Sequence, residues 1–190
     1  MVKIQLGFNK YAGLFSIILG GLAVLGMFLP IGIIDAFKII TIEITPLAKI
    51  SGFPFFDSVS DLEFAAGHLV MIPGILGYMM LILAIAISIL GIIQLISNES
   101  KSIVILIIIA GVVLVLITII QYYIFKYIGD EIPTLVLTIG LILGNNITLG
   151  ALLYLASIGA GIGFYLVLIP TIGVLVTSLI HIISIRRLAY

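Results

Sequence analysis

Residues 157–185, SIGAGIGFYLVLIPTIGVLVTSLIHIISI, decide how the chain is read. The run contains no acidic or basic residue apart from His181 and stops at Arg186-Arg187. About 20 apolar residues cover the hydrocarbon core of a bilayer, so a run of this length reads as a membrane span. It opens with Gly159, Ala160, Gly161 and Gly163, small residues that let a second helix approach closely. Gly159 and Gly163 are therefore expected to be helix-packing positions.

The rest of the chain repeats the theme. Of its residues 63% are hydrophobic and 8% charged, against roughly 25% charged in soluble domains. This composition belongs to a membrane protein and leaves room for a single integral membrane domain over residues 1–190. The net charge is zero, so no basic surface points to nucleic acid. The absence of cysteine excludes disulfides, thiolate metal sites and cysteine nucleophiles.

Four spans are predicted, at residues 11–34, 68–97, 102–128 and 157–185. In the first, Ala12, Ser16 and Gly20 recur every fourth residue and share one helix face. That face is a packing seam, or simply the small-residue content common to membrane helices. In the second, Ala84 and Ser88 form a similar face. Residues 98–101 link the second and third spans so tightly that the two must run antiparallel. The third ends in Gln121, Tyr122, Tyr123, Phe125 and Tyr127, an aromatic cluster suited to the headgroup level.

Two stretches lie between spans. Residues 35–67 are the one polar stretch of any length, with Asp35, Lys38, Glu43, Lys49, Asp57, Asp61 and Glu63. Within them 38–45 alternate, with Ile40, Ile42 and Ile44 opposite Thr41, Glu43 and Thr45, the pattern of a half-buried strand. Pro46, lacking an N–H, ends it. Residues 129–156 are apolar but broken by Gly140, Gly144, Asn145, Asn146 and Gly150. Their alternation reads as a β-hairpin over 132–151 lying outside the bilayer; a short re-entrant or interfacial helix is the competing reading.

Four spans place both termini on one side. With the termini inside, that side carries Lys3, Lys10, Lys101, Arg186 and Arg187, and the other Lys38, Lys49 and Lys126. The lysine and arginine bias therefore points to cytoplasmic termini and a cell-membrane location. Asn146-Ile147-Thr148 is then a candidate glycosylation sequon on the outer side, at Asn146.

The span interiors hold no charged residue, which argues against a proton-coupled carrier or an ion pathway. His68 and His181 fall near opposite ends of their spans, so haem ligation within one chain is not expected. Asp57, Asp61 and Glu63 could offer oxygen ligands to Ca²⁺, yet their spacing matches no known loop, and a solvated face accounts for them. No catalytic, cofactor-binding or metal-ligating residue is expected, and no cofactor.

The first span ends in Phe28-Leu29-Pro30, and the last opens with Gly161-Ile162-Gly163-Phe164-Tyr165. These motifs and the order of spans and loops resemble the claudin-type tetraspan arrangement, and more closely small four-span proteins of archaea and bacteria. Claudins carry a tryptophan and a cysteine pair in the first outer loop. This chain has neither, so the resemblance implies a fold and no functional residue.

The fold expected is all-α transmembrane, an antiparallel four-helix bundle with a small β-rich extracytoplasmic cap. The function expected is that of a non-catalytic structural or accessory subunit. Its partners would be the lipid bilayer and, through lateral helix association, copies of itself or a larger membrane complex. The alternative is a channel or carrier for a neutral or lipid-like solute.

Overall fold

A computed structural model describes the backbone of residues 2–36, 40–47, 50–51, 59–97, 101–143 and 157–187, and the side chains of 10–33, 45–47, 72–97, 101–127 and 159–184. The protein is mostly helical. In chain order the elements are α1 (Val2–Gly26), β1 (Gly32–Ala36), β2 (Ile40–Ile44), β3 (Ile50–Ser51), α2 (Val59–Ile96), α3 (Lys101–Leu143), β4 (Ser157–Ala160) and α4 (Ile162–Arg187). Three segments are long and apolar enough to cross a membrane: Ile72–Ile96, Lys101–Tyr127 and Ile162–Ser184. The apolar part of α1, Lys10–Gly26, is shorter.

The chain divides into two compact units. The first comprises Met1–Gly26, Tyr78–Thr118 and Leu166–Tyr190 and is helical wherever it is described, save the single residue Ser97. Its contacts fix the helix directions. Gly13 of α1 meets Gly91 and Leu95 of α2, whereas Gly20 meets Ser88 and Ala84, so α1 and α2 run antiparallel. Leu19 meets Gly173 and Gly26 meets Val167, so α1 and α4 are antiparallel too. Leu175 of α4 covers Gly111 of α3. Ala23, Met80, Ala84, Ile87, Ile107, Leu114, Val167 and Val174 fill the interior.

The outside of these helices is apolar as well. Tyr11, Phe15, Ile18, Ile82, Ile89, Ile109, Leu116, Ile169 and Val176 are all exposed. A helix that is hydrophobic all round suits a lipid solvent, whereas water would leave these faces as a large apolar patch. Hydroxyls along the helices are satisfied locally. Ser16, Ser88, Thr118, Thr171, Thr177 and Ser184 each donate to the carbonyl four residues earlier.

The second unit comprises Met27–Gly77 and Ile119–Tyr165. It contains a four-stranded antiparallel sheet in the order β3-β2-β1-β4. Gly32 of β1 pairs with Ile44 of β2 on one side and with Ala160 of β4 on the other. The ladder continues past the strand ends, where Gly161 N–H donates to the Ile31 carbonyl at 2.9 Å. Gly163 N–H, in the first turn of α4, donates to the Pro30 carbonyl at 2.7 Å. One of the otherwise orphaned amides at the start of that helix is thus satisfied by the chain leaving α1. A Cβ on Gly161 would overlap the Pro30 carbonyl, so only glycine allows the two backbones to meet here.

Several expectations are corrected. The first span does not reach residue 34: α1 ends at Gly26, and 32–36 form β1. Pro30 cannot donate within a helix, and Ile33 and Ile34 are β-branched residues that suit a strand. The last span does not begin at 157, because residues 157–160 are β4 and α4 starts after Gly161. The hairpin expected over 132–151 is absent from 132–143, which continue α3 to Leu143. In a run apolar on both faces, alternation of Leu with Thr or Val carries no strand information. Residues 144–151 lie outside the described residues. The strand expected within 38–45 is β2, over Ile40–Ile44.

Candidate functional site

Gln121, on α3 in the second unit, makes two side-chain hydrogen bonds to backbone far away in sequence. Its position follows from three local features. β2 ends because Pro46 offers no N–H to a ladder, and Pro46-Leu47 turn the chain. Pro46 is buried, and its carbonyl lies against Gly77 of α2. A Cβ on Gly77 would overlap that carbonyl, so a side chain here would exclude the turn. Gln121 is fully buried and closes the arrangement from α3. Its Nε2 donates to the Pro46 carbonyl at 2.6 Å and to the Pro73 carbonyl at 2.9 Å.

This accounts for a turn carrying bare backbone polar groups against helices of membrane-span composition. Backbone polar groups buried beside apolar helices need protein partners, and one amide supplies both donors. Gln121 Oε1 is buried without a protein donor among the described residues. Nearby, Phe125 lies over Gly32 of β1, and the rings of Tyr122 and Phe164 lie 4.8 Å apart between centroids. The site binds its own chain. The two Gln121 bonds hold the Pro46 turn against α2 and α3.

The residues singled out in the sequence fall as follows. Ser16, Gly20, Ala84 and Ser88 come together on the α1–α2 contact of the first unit, with Ser16 and Ala84 buried; Ala12 is buried one turn before Ser16, and its carbonyl accepts the Ser16 hydroxyl. Gly91 completes this seam: a Cβ there would lie 2.9 Å from Ser16 Cβ. Gly159 and Gly163 do not share a helix. Gly159 is an exposed residue of β4 with open space where a Cβ would stand, while Gly163 is buried in the first turn of α4. Helix packing is the wrong reading for Gly159, because residues 157–160 are extended. Asn146 lies outside the described residues, as does Asp57. His68, Asp61 and Glu63 belong to α2, but their side chains fall outside the described ones. His181 and Gln94 are buried in the first unit. No group of three metal-ligating side chains occurs among the described residues.

In the sequence Gln121 reads only as a span-end residue and Pro46 only as a strand stop. A lone amide near the end of a long apolar span is the available signal. Its partners are backbone carbonyls, which leave no trace in residue identity. No family model, curated protein or solved structure matches the chain.

Proposed function

We propose that this is a non-catalytic integral membrane protein that serves as a structural or accessory subunit, with four spans, cytoplasmic termini and the sheet outside the bilayer. The observation that carries the reading is where the polar atoms go. The hydroxyls of Ser16, Thr118 and Thr171 are spent on their own helix carbonyls, and the Gln121 amide N–H groups are spent on Pro46 and Pro73. Among the described side chains these polar groups are turned to the protein's own backbone, and two of the bonds hold the strand-bearing segment.

The same observations refine how such a protein would meet a partner. On the Ala12/Ser16/Gly20 face, Ser16 and Gly20 are occupied by α2 of the same chain. Association would therefore run through other surfaces, the strand-bearing unit first among them. The claudin-like arrangement belongs to this proposal; its support is the order of one helix, three strands, two helices, one strand and a last helix.

Chemical crosslinking in native membranes, followed by mass spectrometry, tests the reading. A crosslinked product joining the protein to a second polypeptide is expected, with crosslinks mapping to residues 32–51 or 157–160. A strictly monomeric protein that moves a neutral solute across liposome membranes would replace this reading with the carrier.

A further inference from the structure

We infer that Gln121 Oε1 and the Leu69 carbonyl oxygen share one buried water molecule. The orientation of the Gln121 amide is fixed by its surroundings. Nε2 faces the carbonyls of Pro46 and Pro73, and the flipped amide would set its oxygen against two other oxygens. Oε1 therefore points away from them, in a side chain with no solvent exposure, and no described protein group donates to it.

The two prolines whose carbonyls the amide meets offer it no donor. Pro46 and Pro73 have no N–H at all. The Gly77 N–H belongs to the helical bond to Pro73 in α2. Pro73 also removes a donor one turn earlier: in a continuous helix its N–H would have served the Leu69 carbonyl. Leu69 and Pro73 are four residues apart, so their carbonyls follow one another along the same face of α2, about 5.4 Å apart along the axis. The Gln121 amide stands against the second of them. Two acceptors thus fall within one helical turn: Gln121 Oε1, with no donor among the described residues, and the Leu69 carbonyl, whose place for a helical donor is taken by a proline.

Water is the ligand that fits this pair. It brings two O–H donors, is small enough for a close-packed interior, and habitually bridges buried polar groups left without partners. A metal ion fits worse, because the Nε2 hydrogens already occupy the Pro46 and Pro73 carbonyls and would repel a cation placed beside them.

The test is a density map of the full-length protein at a resolution that shows ordered water, for the native chain and for Pro73→Ala. Alanine restores an N–H for Leu69 and leaves Gln121 unchanged. In the native protein one peak is expected within about 2.5–3.0 Å of both Gln121 Oε1 and the Leu69 oxygen. In Pro73→Ala that peak is expected to lose its Leu69 contact or disappear, while Nε2 keeps its bond to Pro46. Carbon-only surroundings at Oε1 in the native map would overturn the inference. So would a protein donor on Oε1, a peak with the shorter, multiple contacts of a cation, or a peak unchanged by Pro73→Ala.

Discussion

Gly13 of α1 and Gly91 of α2 press their backbones together. A Cβ on Gly13 would lie 2.9 Å from the Gly91 carbonyl oxygen, and one on Gly91 would lie 3.0 Å from the Gly13 carbonyl oxygen. The relationship is reciprocal, so neither residue can grow without parting the helices. In lipid there is no hydrophobic force to draw helices together, and such backbone approach, with its dense van der Waals contact, is what holds them.

Gly91→Leu should therefore destabilise the protein by about 1–3 kcal/mol, the usual cost of overpacking. Gly21 is the internal control, since a Cβ there meets nothing within 4 Å. Gly21→Ala should be neutral or stabilising by up to about 1 kcal/mol, from the better helix propensity of alanine. Unfolding in mixed detergent micelles, followed by circular dichroism, measures both. Equal losses for the two variants would contradict the seam.

Gln121→Leu should cost about 1–3 kcal/mol, because the buried Pro46 carbonyl loses the amide that donates to it. The loss should be local. A spin label at position 47 should become more mobile, while the helical circular dichroism signal stays near that of the native protein. A label as immobile as in the native chain would show that Gln121 does not hold the turn.

Gly77→Ala attacks the same turn from the opposite side. A double-mutant cycle with Gln121→Leu should be strongly non-additive, since a turn already displaced by the methyl group of Gly77→Ala has no bond left for Gln121 to make. Additive losses would mean that Gly77 and Gln121 act on separate structures.

Gly161→Ala should cost about 1–3 kcal/mol, because the new methyl would overlap the Pro30 carbonyl that caps α4. Gly159→Ala, two residues away in β4, should stay within about 0.5 kcal/mol. Thermal unfolding of the pair checks the contrast; a costly Gly159→Ala would place the close approach in the wrong strand position.

How much of this was legible in the sequence depends on what hydropathy can resolve. The segments Ile72–Ile96 and Lys101–Tyr127 stand out because a long apolar run, uncharged over 72–96 and 102–125, admits few other structures. β2 was legible because Thr41, Glu43 and Thr45 are polar and mark the alternate face. β1 and β4 were not. Gly32–Ala36 and Ser157–Ala160 are short, mostly apolar and close to the neighbouring helices, so composition does not mark where helix yields to strand. Their pairing joins residues more than a hundred positions apart, such as Ile33 with Gly159, and no local pattern encodes it. The small residues of the α1–α2 seam were visible as a kind. The Gly13–Gly91 pair that sets its closest approach was not, because single glycines in membrane helices are common.

The most direct measurement is cysteine labelling of intact cells, made simple by a chain that has no cysteine of its own. Single cysteines would be placed at Ser51 of β3, at Leu47 in the turn and at Ser102 at the start of α3, then exposed to a membrane-impermeant maleimide. The expected result is labelling at position 51, none at 102 until the cells are lysed, and protection at 47 that is lost when Gln121→Leu is added. Labelling at 102 with protection at 51, or a freely reactive position 47 in the otherwise native chain, would contradict an outward sheet whose turn is locked between helices.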